Sequence, residues 1–339
     1  MPPPSPIYKE HGKAYKADTC LPVARAFEQG QIEYKALVRG HYPGSQLPRG
    51  VLAGVRNLGF WSIDSPQTWG LQWHRNEGIE LTFLENGQLE FAADERSYQL
   101  QSGDLTLTRP WQRHRVGNPN VTPSRLHWLI LDLGVRRPHQ QWRWPSWLVL
   151  TPGDREELTT KLRQAVDSVW HTKGDILTCF QRIGAAVAAD RNGDNASRIA
   201  AYLNELFVLL LDLLRQGQVS FDEGLASAQQ TVDLFWKDMQ HNPELLATDW
   251  VVREMAEQCG LGITQFTRHC RQLTNMTPME YLARCRIVAA TELLRTEPDR
   301  SVTDVGLSLG FSSSQYFAKV FRKHTGCSPS EFRQQEQST

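Results

Sequence analysis

Gly310-Phe311-Ser312-Ser313-Ser314-Gln315-Tyr316-Phe317-Ala318-Lys319-Val320-Phe321-Arg322-Lys323-His324-Thr325-Gly326-Cys327-Ser328-Pro329 carries the pattern of a turn followed by an amphipathic helix with both ends marked. Gly310 marks a sharp turn, and the hydroxyls of residues 312–314 can cap the helix that follows. Phe317 and Phe321 stand one helical turn apart and define an inward face. Gly326 tolerates the left-handed conformation that ends a helix. A short helix before Gly310 and a second helix after it make a helix-turn-helix.

The pattern occurs twice. Val252, Met255, Cys259, Gly260 and Leu261 match Val302, Val305, Leu309, Gly310 and Phe311. Beyond the turn, Phe266, Arg268, Cys270, Arg271, Asn275, Thr277, Pro278 and Tyr281 match Phe317, Lys319, Phe321, Arg322, Gly326, Ser328, Pro329 and Phe332. A repeated supersecondary unit is expected. Residues 280–294, with Leu282, Ile287, Ala290 and Leu294 and no Pro or Gly, read as one connecting helix. With Phe266 and Cys270 inward, Thr264, Gln265, Thr267 and Arg268 face outward; with Phe317 and Phe321 inward, Ser314, Gln315 and Lys319 do the same. These side chains suit base edges in a major groove, and Arg271, Arg322 and Lys323 suit phosphates, so double-stranded DNA is the expected partner.

Bulk charge does not announce that partner. The 339 residues carry 37 Lys+Arg and 37 Asp+Glu, and from residue 225 onward 12 Lys+Arg face 13 Asp+Glu. The second helix of each copy is instead locally cationic, with Arg268 and Arg271 in one and Lys319, Arg322 and Lys323 in the other. The length predicts two or three domains. The start, Met-Pro-Pro-Pro-Ser-Pro, lacks the pattern of a secretory signal. The most apolar segment, 199–214, carries Asn204, Glu205 and Asp212, too polar for a membrane span. A soluble, cytoplasmic chain without a membrane partner is expected. Cys20, Cys179, Cys259, Cys270, Cys285 and Cys327 form no C-x-x-C pair and read as reduced thiols.

Residues 31–135 read as mostly β, with strands at 78–84, 88–91, 97–101, 104–108 and 126–131 and a turn at Glu85-Asn86-Gly87. Trp142, Trp144 and Trp147, with Pro138 and Pro145, close that region. From Asp154 to about Gln216 the period becomes helical. Ile199, Leu203, Phe207, Leu210 and Leu214 form a stripe that either packs on the domain's own core or makes the seam of a dimer. The expected fold class is α+β. Its parts are a β domain (1–150), a helical segment with possible dimerisation (151–218), a linker (219–228) and an all-α domain with the tandem motifs (229–339).

The run Arg286-Ile-Val-Ala-Ala-Thr-Glu-Leu-Leu294, the second copy from Gly310-Phe311 through Val320-Phe321-Arg322-Lys323, and Gly326-Cys-Ser-Pro329 with Glu331-Phe332-Arg333 resemble the AraC/XylS family of bacterial transcription regulators. The first copy departs from the family at His269, Cys270 and Asn275. The β region resembles a cupin-like barrel, the sensor domain common in that family. His74, Asn76, Glu80 and Gly87 match the first cupin motif with Asn in place of its second His. Gly103, Pro110, His114 and Asn118 match the second, from which Trp111 departs. The resemblance implies a regulator rather than an enzyme, with no catalytic residue, metal or cofactor, working as a homodimer and meeting RNA polymerase if it is an activator. Trp61, Trp73, His74, Glu80, Arg109, Trp111 and His114 are the expected effector-binding residues, and indoles beside polar groups suit a monosaccharide. The alternative is a metal-dependent cupin enzyme fused to a helical domain, since His74, Glu80 and His114 make a two-histidine, one-carboxylate set.

Overall fold

The segment Ser124–Leu131 shows why the N-terminal half forms a sheet. Leu126, Trp128 and Ile130 alternate with His127, Leu129 and Leu131, and a pleated strand sends the two sets to opposite faces. The first set joins an apolar core with Tyr34, Trp61 and Leu84, while Leu129 and Leu131 join another with Leu81, Phe83, Phe180 and Phe207. The sheet is therefore buried on both faces.

The computed structural model describes residues 6–10, 13–172, 174–216, 219–222 and 227–337. In chain order the elements are β1 (Ile7–Glu10), β2 (Lys13–Lys16), α1 (Leu21–Glu28), β3 (Glu33–Val38), β4 (Ser45–Gln46), β5 (Val55–Ile63), β6 (Leu71–His74), β7 (Ile79–Ala93), β8 (Arg96–Gln101), β9 (Asp104–Thr108), β10 (His114–Val116) and β11 (Ser124–Leu131). There follow α2 (Pro152–Gln164), β12 (Val169–His171), α3 (Asp175–Ala189), α4 (Ala196–Arg215), α5 (Ala228–His241), α6 (Pro243–Ala247), α7 (Val252–Gln258), α8 (Ile263–Thr274), α9 (Pro278–Thr296), α10 (Val302–Ser308), α11 (Ser314–Thr325) and α12 (Pro329–Gln337). The chain divides into one unit of Met1–Tyr8, Ala14–Arg136 and Trp142–Ala226 and another of Lys9–Lys13, Arg137–Gln141 and Ser227–Thr339.

In the first unit the strands run β12-β9-β7-β11-β5-β3-β4, with β8 and β10 on the far half of β7 and β6 beside β10. The long strand β7 joins both groups. Its residues 80–83 pair with β9, and its residues 88–93 pair with β8. The expected turn at Glu85-Asn86-Gly87 is corrected by this continuity. Asn86 lies opposite Arg125 and Leu84 opposite Leu126, so Glu85 is the extra residue of a β-bulge. Gly87 has φ 91°, and a Cβ there would stand 2.3 Å from the Pro123 carbonyl oxygen. Pairing on both sides overrides the local turn preference of Asn-Gly, and the bulge lets one strand serve two layers.

Helices α3 and α4 cover the Leu129 face. Ile199, Leu203, Phe207, Leu210 and Leu214 are all buried in the unit's own core. The tryptophan cluster closes its edge: Trp144 meets Phe207 edge-on at 5.4 Å and donates to Thr159, and Trp147 donates to the Ala53 carbonyl. Within the expected linker, Phe221 bridges back to Ala165, whereas residues 223–226 lie outside the described residues.

In the second unit the repeat is visible in the element bounds. Those of α10 lie 50 residues beyond those of α7, and those of α11 lie 51 beyond those of α8. The added residue falls in the turn. Helix α9 joins the copies, opened by a capping box in which Thr277 and Glu280 each satisfy the other's backbone N–H. Phe235, Trp236, Phe266, Leu282, Phe317 and Phe321 share the core of this unit.

Candidate DNA-reading face and effector cavity

Helix α8 buries Phe266 and Cys270 completely. That fixes its rotation. Thr264, Gln265, Arg268 and Arg271 are exposed, and Thr267 is half-buried between them. Asn275 ends the helix with φ 56°, the left-handed conformation that its sequence position suggested. No side chain caps the start of α8, where Gly262 precedes Ile263. Helix α11 repeats the arrangement with Phe317 and Phe321 buried, Gln315, Lys319, Arg322 and Lys323 exposed and Ser314 half-buried. Here Ser313 caps the helix by accepting from the Tyr316 backbone N–H at 3.2 Å, and Gly326 ends it with φ 86°.

The charges of these helices differ from those around them. On other faces Lys237 pairs with Asp233, Arg253 with Glu257, Arg295 with Glu292 and Arg300 with Glu297. Among the described residues Arg268, Arg271, Lys319, Arg322 and Lys323 form no ion pair. Glu280 feels the charges of Lys323 and Arg271, and Glu331 that of Arg322, but neither closes an ion pair; a cationic row without close partners is the local footprint that suits a phosphate backbone. Exposed Arg284 on α9 belongs with it: its charge, after burial and Lys323, helps depress the His324 imidazole. Sequence reading missed Arg284 because it lies outside the duplicated helices. It also missed Ile263 and Tyr316, 49% and 51% exposed at the starts of α8 and α11. Apolar type suggested core, while helix phase alone would have put them outside.

In the first unit the expected effector residues separate. His74 and His114 are register partners on β6 and β10, with ring centroids 4.2 Å apart. His114 Nε2 lies 2.8 Å from Glu80 Oε2, and Asn76 donates to the same carboxylate at 2.7 Å. Both histidines turn Nδ1 to backbone oxygens, of Gln72 and Gln112. Trp61 is buried nearby and lines with Glu80 an interior cavity of about 30 Å³, whose walls include Tyr34, Asn57, Thr82 and Trp128. The Trp61 Nε1 is buried there without an acceptor among the described residues.

Trp73, Arg109 and Trp111 make other contacts. Trp73 is stacked by Arg113 and Arg115 at 4.2 and 5.1 Å. Arg109 donates to the Arg163 and Ala165 carbonyls at the end of α2. Trp111 donates to the Val135 carbonyl and stacks on Tyr8 at 5.2 Å. Asn57 and Trp128, joined by a 2.8 Å hydrogen bond, are cavity residues that sequence reading missed. The inward phase of β5 and β11 was their available signal.

Electrostatics tie the histidine cluster together. Burial favours neutral Glu80, but the charge and hydrogen bond of His114 outweigh it and hold the carboxyl below its ordinary range. Burial likewise opposes a charged His114, yet Glu80 raises it. His74 is pushed down to about 4 by desolvation and by the His114 charge. The cluster therefore favours one imidazolium against one carboxylate, with His74 neutral. Its ligand atoms all lie within 4.8 Å of one another.

The family model for a helix-turn-helix domain matches residues 255–335, and that for a cupin domain matches residues 61–130. The chain is 26% identical over 263 residues to the HTH-type transcriptional activator RhaS of Escherichia coli (strain SE11), covering 77% of this chain and 87% of the relative. The DNA-binding domain of AdpA, solved with a target DNA, is 26% identical over 33% of this chain and 96% of its own, with a TM-score of 0.30. Fatty-acid-bound ToxT from Vibrio cholerae is 10% identical over 84% of this chain and 97% of its own, with a TM-score of 0.34. No helix among the described residues is long and apolar enough to cross a membrane. With a tandem helix-turn-helix and a cupin-type domain before it, the chain has the two-part make-up of the AraC-type DNA-binding transcription regulators.

Proposed function

We propose that this regulator is controlled by a small molecule bound in its β domain and that it works in the cytoplasm as a transcription factor rather than an enzyme. The unpaired cations of α8 and α11 carry the reading. Thr264, Gln265, Thr267, Arg268, Ser314, Gln315 and Lys319 are assigned to base edges, and Arg271, Arg322 and Lys323 to phosphates. Selection of binding sites from a random DNA pool with the full chain tests this. An enriched motif with contacts spaced along one side of the duplex is expected, and recovery of no preferred sequence with or without ligand overturns it.

The effector proposed is a monosaccharide in the Trp61 cavity. Its hydroxyls could pair with Asn57, Glu80 and the orphaned Trp61 N–H, and its C–H face could stack on indole. A cavity of about 30 Å³ holds only a water-sized molecule, so binding requires the wall to open. Helix α1, which contributes Val23 to that wall, is held by side-chain packing rather than by sheet hydrogen bonds. An effector that favours the open form shifts the regulator only by its difference in affinity for the two forms. Thermal-shift titration with a monosaccharide panel checks this, with Trp61→Phe expected to weaken the response. As an activator, the chain would also meet RNA polymerase. A homodimer remains part of the proposal. With the α4 stripe buried, its seam on that helix is limited to the edge carrying Ala201, Glu205, Val208 and Asp212, and sedimentation measures the stoichiometry.

The spacing of His74, Glu80 and His114 supports a second reading as a metal-dependent cupin enzyme. The three would hold a divalent ion through the two Nε2 atoms and the carboxylate, their Nδ1 contacts fixing ring orientation. A bound ion would supply Lewis acidity. Stoichiometric metal in the purified protein, lost together with a turnover in His74→Ala and His114→Ala, would favour this second reading.

A further inference from the structure

The first unit holds another cavity that shares no lining residue with the Trp61 cavity. It measures about 460 Å³, within the range of roughly 300–1,000 Å³ that small-molecule sites occupy. Arg39, Arg56 and Arg143 line it, with Asp132 and the glycines 50, 54 and 134. Asp132 is shared by two guanidinium groups, Arg56 at 2.6 Å and Arg136 at 2.7 Å. Arg56 also lies 3.4 Å from Glu77, whose carboxyl is raised toward its neutral form by burial. Arg39 finds carbonyl oxygens instead of a carboxylate, at Pro48 and Val51, and its Nε is buried without an acceptor among the described residues. Arg143 is exposed, and no described residue accepts a hydrogen bond from its guanidinium. Asp132 and Glu77 both face Arg56, and among the described residues no carboxylate pairs with Arg39 or Arg143. A surface arginine beside open solvent would need no explanation. Two under-compensated ones lining a cleft whose glycine walls carry no side chains form a concave cationic site.

We infer that this cleft binds the oxyanion group of a small metabolite, a carboxylate or a phosphate, clasped by Arg39 and Arg143. Guanidinium forks match such groups with paired, charge-assisted hydrogen bonds. The Arg56–Asp132–Arg136 cluster supplies a rigid floor. The site stands independently of the sugar reading, since it uses neither Trp61 nor the histidine cluster.

The test titrates the full chain with inorganic phosphate and with citrate, following heat of binding and thermal midpoint. A saturable response is expected from at least one probe: citrate alone assigns carboxylates, phosphate alone phosphoryl groups, and both a general oxyanion site. Arg143→Gln should weaken binding about tenfold, the loss of one charge-assisted hydrogen bond. It should leave the midpoint without probe unchanged. Ala53→Glu, on the cleft rim, should abolish the response by placing a carboxylate in it. The double variant Arg322→Gln, Lys323→Gln should bind the probe as the parent does. The proposal falls if neither probe binds at millimolar concentration. It falls equally if Arg143→Gln and Ala53→Glu bind unchanged, or if the α11 double variant loses the response, which would place the anion on the DNA-reading face.

Discussion

Gly306 lies beneath the Phe317 ring so closely that a Cβ added to it would stand 2.7 Å from Phe317 Cδ1. Phe317 is fully buried and meets Phe321 edge-on at 5.5 Å, so its ring has nowhere to retreat. The first copy has Ala256 at the matching position. Gly306→Ala should therefore lose stability by ~1–3 kcal/mol through overpacking, less the ~1 kcal/mol that alanine normally gains over glycine inside a helix. Denaturant unfolding of the full chain measures it. In a Phe317→Leu background the same change should cost less, and equal costs in both backgrounds would show that the ring is not the obstacle.

Arg286 fastens the connecting helix to the end of α6. Its Nε donates to the Leu246 carbonyl and its Nη2 to that of Thr248, both at 2.8 Å, from a buried position. Carbonyls at a helix end lack intrahelical partners and need such donors. Arg286→Met preserves much of the packing but strands the Leu246 oxygen and leaves that of Thr248 only the Trp250 backbone N–H, with an expected loss of ~1–3 kcal/mol. Arg286→Lys can reach only one of them and should fall between. Unfolding midpoints rank the three proteins, and an unchanged Met variant would show that water replaces the guanidinium.

How much of this was legible depends on the range of the interaction. The tandem motif could be read because Gly310, Asn275 and Gly326 act on their own backbone, and because Phe317 and Phe321 repeat at the helical period. The bulge at Glu85 could not. Asn86-Gly87 is a turn signal by local preference, and only pairing to β11 on one side and β8 beyond overrules it. The histidine cluster was visible as motif spacing, since β6 and β10 place His74 opposite His114. The direction of Arg109 was hidden because its partners are carbonyls at the end of α2, far along the chain. Asn57 and Trp128 were hidden for the same reason, each acquiring its meaning from the strand beside it.

Asp132 should give the first unit a specific acid sensitivity. Burial alone would raise its carboxyl, but hydrogen bonds from Arg136 and then Arg56 outweigh burial and hold it below the ordinary 3.8. A carboxyl depressed in the folded state adds stability that is present above its unfolded value and lost as pH falls through its folded one. At neutral pH Asp132→Asn should be less stable by ~1–3 kcal/mol, since the four guanidinium hydrogen bonds it accepts lose the carboxylate charge and one acceptor oxygen. The difference should shrink below about pH 4 and vanish where Asp132 is protonated in both states. Urea unfolding across pH 2.5–7 follows it, and a gap independent of pH would exclude the carboxylate charge as its cause.

The two classes of residue on α11 should separate in their response to salt. Arg322 is exposed, has no ion pair among the described residues and sits in the last turn of the helix, where it can reach a phosphate but not the groove floor. Neutralising one phosphate contact lowers the slope of log affinity against log salt by about 0.9. Arg322→Gln should thus weaken specific and random DNA equally and flatten both slopes. Lys319 and Gln315 lie one turn apart nearer the start of the helix, on the face opposite Phe317. Gln315→Ala should cost ~1–3 kcal/mol on the selected site and little on random DNA, without changing the slope. Lys319→Ala, at a residue proposed to read a base and carrying charge besides, should do both. Binding isotherms at several salt concentrations resolve the three patterns. If all three variants lost affinity in the same proportion on every sequence, α11 would be a backbone clamp, and reading would fall to Thr264, Gln265 and Arg268 of α8.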